Sequence, residues 1–158
     1  MTRLLEYLLE AETAVVFDVD GVLAIYEFGE LSHTACPDED WETYVRTREP
    51  YARVPAVPQI QDFVARKGPE RVFACTRGAA YEAPGKRAFV CAHYQIPERH
   101  VAIVEKKPEK LAFLVELAER LGVPRARVAL VEDSVDTLDQ AAAEGFTTVH
   151  VSSFFLWQ

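Results

Sequence analysis

The chain has 158 residues, 49% of them apolar, and a formal net charge of −8. That length buries a continuous core without disulfide or metal staples, and that charge excludes the basic face of a general phosphate-backbone binder, so nucleic acid is not an expected partner. The three cysteines, Cys36, Cys75 and Cys91, are odd in number and lack paired short spacing, which excludes a disulfide framework or a zinc site and suggests a reducing compartment.

In chain order, Leu4, Leu5, Leu8 and Leu9 recur at helical spacing and predict an opening amphipathic helix over 3–11. Glu6, Glu10 and Glu12 interrupt it, so it does not read as a signal peptide, and no later segment approaches a membrane span. A soluble, cytoplasmic protein without a membrane partner is expected. A buried strand follows over 13–17. Residues 18–56 read as irregular, with one short helix inside "CPDEDWETYVRT". "VPQIQDFVARKG" predicts a helix with Pro58 in its first turn and Gly68 past its end. Next come a strand, "RVFACT", a helix, "APGKRAFVCAHY", and a strand, "HVAIV". "KPEKLAFLVELAERLG" is the strongest helix, with Leu111, Leu114, Leu117, Ala118 and Leu121 inward and Gly122 as its stop. "RVALVE", "SVDTLDQAAAEG" and "TTVHV" complete the alternation as strand, helix and strand.

Short apolar strands alternating with helices of ten to fifteen residues specify an α/β fold: a Rossmann-like three-layer sandwich, with a central parallel sheet and helices on both faces. One domain over 1–158 is expected. The 24–56 insert carries Tyr26, Phe28, Trp41, Tyr44 and Tyr51, and it reads either as a small flap over the site or as cover for the sheet edge. His33, His93, His100 and His150 share no ligand spacing and read as structural, as does Cys75. Phe154, Phe155 and Trp157 read as packing against the sheet.

In such sheets ligands sit beyond the carboxyl ends of the strands, and the unusual polar residues fall there. "AVVFDVDGVLA" ends the first strand in Asp18 and Asp20, "VFACTRG" ends the second in Thr76 and Arg77, and "VALVEDSVDTL" ends the fourth in Glu132 and Asp133. Lys106, Lys107 and Lys110 follow the third. Two carboxylates a single residue apart repel each other unless something neutralises them. Asp18 and Asp133 are hard oxygen ligands suited to Mg²⁺. A carboxylate beside that ion can attack phosphorus, and Asp20 can protonate the leaving oxygen and later activate water. Thr76 offers a hydroxyl to a phosphoryl oxygen, a lysine supplies positive charge, and the amides around Gly21 and Arg77 complete a cradle.

These four motifs resemble those of the haloacid dehalogenase superfamily, the HAD-like hydrolases, over essentially the whole chain. "VVFDVDGVLA" is similar to the family's first motif, "VFACTRG" to the second, "EKKPEKL" to the third and "VALVEDSVDTL" to the fourth. The resemblance implies Asp18 as nucleophile, Asp20 as general acid and base, and Thr76 as a phosphate ligand. It implies Mg²⁺ held by Asp18, Asp133 and the backbone carbonyl of Asp20, with Glu132 as a ligand or a support behind it. The functional lysine is Lys110 or Lys107, with Lys110 preferred. Many members carry a further acid four residues after the fourth-motif aspartate, where this chain has Thr137, and Asp136 stands one residue early.

The expected activity is Mg²⁺-dependent hydrolysis of a small phosphate monoester through an aspartyl-phosphate on Asp18, with a minimal cap. Two rival readings remain: a phospho-acceptor switch, and a non-catalytic HAD-like binding protein. The expected assembly is a monomer or homodimer.

Overall fold

The computed structural model describes residues 1–25 and 40–158. Tyr26 and Phe28, and the start of the helix expected inside "CPDEDWETYVRT", lie outside the described residues. The sheet has five parallel strands, β1 (Ala14–Phe17), β2 (Val72–Arg77), β3 (Val101–Val104), β4 (Val128–Glu132) and β5 (Thr147–His150), in the order β3-β2-β1-β4-β5. All are rich in Val, Ile, Ala or Thr, and β1 and β4 are buried along their whole length, as parallel strands covered on both faces must be.

Six α-helices are described: α1 (Arg3–Leu9), α2 (Trp41–Arg48), α3 (Pro58–Lys67), α4 (Ala83–Tyr94), α5 (Lys107–Leu121) and α6 (Val135–Ala143). The α1 helix stops at Leu9 rather than at Ala11, because the Glu10 backbone has left the helical region (φ −56°, ψ 136°). Asp40 caps α2 by accepting from the Thr43 amide at 2.8 Å. Pro58 and Pro108 stand in the first turns of α3 and α5, where a missing N–H costs nothing, and Gly122 ends α5 in the left-handed conformation (φ 64°).

Strand alternation sorts the core into two layers. Val15, Phe17, Ala74 and Val131 face α1, α3 and α4. Val16, Phe73, Cys75 and Leu130 face α5 and α6, against Leu114, Leu117 and Ala141. On the first face the rings of Phe17, Phe63 and Phe154 meet at centroid distances of 5.2 to 6.0 Å. Truncating any of them to Ala removes a large buried ring, a change that costs about 3–5 kcal/mol in such cores. The C-terminal segment is split: Phe154 and Trp157 pack inward as expected, whereas Phe155 is 74% exposed. A short 3₁₀ run over Val151–Leu156 explains the split, because neighbouring side chains diverge around it.

The insert leaves and rejoins the sheet at paired stems. Ala24 bridges Ala56, and the Tyr94 hydroxyl donates to the Leu23 carbonyl at 2.5 Å while accepting from the Val57 amide at 2.8 Å. No helix among the described residues is long and apolar enough to cross a membrane.

Candidate active site

Strand order reverses at β1, whose neighbours on its two sides are β2 and β4, so a crevice opens beyond the carboxyl ends of these three strands. Phe17 is level with both Ala74 and Val131. One residue further on, Asp18 and Glu132 are therefore side by side and share the face of Val16 and Leu130. That is the face covered by α5. Lys110 stands one turn before Leu114, so the helix stripe that packs on the sheet delivers its ammonium between the two acids. Lys110 Nζ lies 3.1 Å from Asp18 Oδ1 and 2.7 Å from Glu132 Oε2. Lys107, on the exposed first turn, lines the same cleft without such a contact among the described residues.

Glu132 is buried and fully engaged. Oε2 takes Lys110, and Oε1 accepts from the amides of Asp133 and Ser134 at 3.0 and 3.3 Å. Its geometry is that of a residue that shapes the turn and holds the lysine. Asp18 differs: Oδ1 is buried, and although the ammonium is near, no donor is well aligned with it. Burial pushes the Asp18 carboxyl up to about 7, against the pull of Lys110, and the negative charge of Glu132 adds to the rise. Burial works to lower the pKa of Lys110, but Asp18 and Glu132 outweigh it and hold the lysine above its usual value.

Asp133 is exposed, and its carboxylate meets the β1 turn at Gly21. That glycine has φ 77°, and a Cβ there would lie 2.5 Å from Asp133 Oδ2. Asp18, Glu132 and Asp133 each offer an oxygen within 4.8 Å of the others'. Three carboxylates with oxygens this close, one of them the buried Asp18, make a donor set suited to a hard divalent cation. The residues present therefore fit the Mg²⁺ that the motifs imply.

The cleft over these acids has a volume of about 260 Å³ and is lined by Asp18, Thr76, Lys110, Asp133 and Thr137, among others. Thr76 lines it and is buried, and among the described residues its hydroxyl makes a long hydrogen bond (3.4 Å) to the Arg77 carbonyl. Thr137 bonds Ser134 at 3.2 Å. A second, larger cleft of about 630 Å³ adjoins it, bounded by Trp41, Gly78, Tyr81, Glu82, Lys86 and Glu105. Asp20 and Arg77 line both. Arg77 is exposed and reaches the Glu105 carbonyl at 3.3 Å. Cys75, beneath the site, is pushed up to about 12 by burial and is no nucleophile.

Among the described residues, Lys86, Tyr51 and Glu82 join the site from outside the sequence motifs. Lys86 Nζ lies 2.6 Å from Asp20 Oδ2, and the Tyr51 hydroxyl donates to Asp20 Oδ1 at 2.8 Å. Lys86 was legible in one respect, since it shares a helical stripe with Phe89, Val90 and Tyr94.

In sequence the chain matches no family model and no curated protein. In structure it is similar to a haloacid dehalogenase-like family hydrolase from Xanthomonas campestris, with a TM-score of 0.59 at 12% identity over 87% of this chain and 80% of that one. It is also similar to a HAD-superfamily hydrolase of subfamily IA from Geobacter sulfurreducens, with a TM-score of 0.57 at 19% identity over 89% and 87% of the two chains. These likenesses show the fold: the chain has the HAD-like fold, built on a five-stranded parallel sheet in the order β3-β2-β1-β4-β5.

Proposed function

We propose that the protein is a Mg²⁺-dependent phosphatase that hydrolyses a small phosphate monoester through an aspartyl-phosphate on Asp18. The observation that carries the reading is the Asp18 carboxylate itself. It is buried at the sheet's switch point between Lys110 and two further acids, with one oxygen lacking a well-aligned donor. A structural carboxylate at that depth would be expected to have its oxygens satisfied.

Asp18, Asp133 and the backbone carbonyl of Asp20 would hold the cation, with Glu132 behind them. When bound, Mg²⁺ supplies Lewis-acid neutralisation of the charge on a phosphoryl oxygen. An Asp18 oxygen attacks phosphorus and the bond to the ester oxygen breaks, while Asp20 gives that oxygen its proton. Asp20, now a carboxylate, then takes a proton from water as the water oxygen attacks the same phosphorus. Phosphate leaves and the Asp18 carboxylate is restored. Thr76 and the amides near Gly21 and Arg77 bind the phosphoryl oxygens, and Lys110 stabilises the charge that accumulates on them. The cleft shared through Asp20 and Arg77 gives the leaving group room. Residues 24–56 are read as a short cap, and among its described residues Tyr51 contacts Asp20 and Trp41 contacts Glu82.

Turnover of p-nitrophenyl phosphate, measured with Mg²⁺ and with chelator, tests the reading. Metal-dependent release of phosphate that is lost in Asp18→Asn supports it. No release by the wild type with metal present favours a binding protein, and a phospho-protein that persists favours a switch.

A further inference from the structure

Lys86 is the most deeply buried charged side chain among the described residues, at 1% exposure. A lone ammonium at such depth is strongly unfavourable, and a methionine would fill the same volume without that penalty. Its stem lies on the α4 stripe that packs against the sheet, so its ammonium reaches the site from the side opposite Lys110. There it meets three oxygens: Asp20 Oδ2 at 2.6 Å, the Arg77 carbonyl at 2.6 Å and Glu82 Oε1 at 3.5 Å. Two of these contacts are hydrogen bonds and the third is an ion pair, so the ammonium is engaged within the protein, foremost by Asp20 and the Arg77 carbonyl.

What it does hold is Asp20, whose other oxygen takes the Tyr51 hydroxyl. Glu82 is fixed in turn, by the Ala79 amide at 2.7 Å and by Trp41 Nε1 at 2.9 Å. The line Trp41–Glu82–Lys86–Asp20–Tyr51 thus begins and ends in the described part of the 24–56 insert. Gly85 lets the Tyr51 ring pack closely on α4, because a Cβ there would meet the ring at 3.3 Å.

We propose that Lys86 is the positioning residue of Asp20: with Tyr51 it fixes the carboxylate at the boundary of the two clefts, and Trp41, through Glu82, seats Lys86. The inference rests on the reading of Asp20 as the acid and base. Its consequence is a dependence on the leaving group. An alkoxide must receive a proton as it departs, whereas p-nitrophenolate departs with little help. A misdirected Asp20 therefore slows alkyl esters selectively.

The test compares wild type, Lys86→Met, Trp41→Phe, Asp20→Asn and the Lys86→Met/Asp20→Asn double variant, with Mg²⁺, on p-nitrophenyl phosphate and on glycerol 2-phosphate. Lys86→Met is expected to lower kcat on the alkyl ester by about tenfold or more and on the aryl ester much less, with KM little changed. Trp41→Phe shifts both in the same sense by a smaller factor. In the Asp20→Asn background Lys86→Met adds no further loss, because the group it positions is already disabled. Equal losses on both esters, or an undiminished Lys86→Met effect in that background, overturn the proposal.

A second arm needs no activity. Melting of the same single and double variants in chelator should be non-additive, since either single change leaves a partner uncompensated, and additive shifts overturn the pairing. A non-additive cycle in a wild type that hydrolyses neither ester keeps the pairing and overturns the phosphatase reading from which its catalytic meaning derives.

Discussion

Gly21 passes so close beneath Asp133 that a Cβ at position 21 would stand 2.5 Å from Oδ2, and its φ of 77° is one that side chains rarely adopt. Two costs therefore meet in Gly21→Ala. The left-handed backbone disfavours Ala by about 1 kcal/mol, and the methyl group forces the Asp133 carboxylate aside. The expected result is a lower melting temperature in chelator and, separately, a smaller rise on adding Mg²⁺. Thermal melting with and without metal measures both.

Asp133→Ala isolates the second effect. A ligand that binds only the folded state stabilises it by mass action, so Mg²⁺ should raise the wild-type melting temperature and leave Asp133→Ala unmoved. In chelator the variant should melt no lower than wild type, because one of the three clustered acids has gone and its exposed side chain forms no core contact. An unchanged Mg²⁺ response in Asp133→Ala contradicts the proposed ligand set.

Asp18 predicts a pH dependence. Its carboxyl is raised from the ordinary 3.8 to about 7, so between those values the folded protein keeps a proton that the unfolded chain has released. Stability contributed by Asp18 therefore falls as pH rises through that window. Lys110, held above its usual value, stays charged throughout and adds no slope. Metal-free wild type should lose more stability than Asp18→Asn between about pH 4 and about pH 7. Parallel curves for the two proteins would refute the assignment of the slope to Asp18.

Lys110 and Lys107 should separate cleanly. Lys110→Met removes the cation shared by Asp18 and Glu132 and should lower turnover by at least about tenfold, roughly 1.4 kcal/mol of transition-state stabilisation. Lys107→Met, on the exposed first turn of α5, should change turnover by less than about twofold, well under that same yardstick. Steady-state kinetics on p-nitrophenyl phosphate reads both.

Much of this arrangement was legible in the sequence, and the reason is periodicity. Strand alternation puts Asp18 and Glu132 on the face of Val16 and Leu130, and the i to i+4 step puts Lys110 beside Leu114; both steps are local. The pairing of Lys86 with Asp20 spans 66 residues and depends on how α4 docks, which spacing alone does not encode. The stripe of Phe89, Val90 and Tyr94 marked position 86 as inward, yet a lysine there reads as a snorkelling side chain until its acid is found. Tyr51 carried an aromatic signal without a direction, since its hydroxyl meets an acid 31 residues away in the chain, which local spacing does not encode. Phe155 was indistinguishable from Phe154 until the 3₁₀ run set their opposite orientations.

The central claim is that Asp18 carries the phosphoryl group. The most direct measurement is rapid acid quench of wild-type protein during Mg²⁺-dependent turnover of p-nitrophenyl phosphate, followed by peptide mass mapping. The account predicts a phosphoryl adduct on the peptide containing Asp18, removed by hydroxylamine as an acyl phosphate is, and absent from Asp18→Asn. Turnover that continues in Asp18→Asn, or an adduct mapping to any other residue, would contradict it.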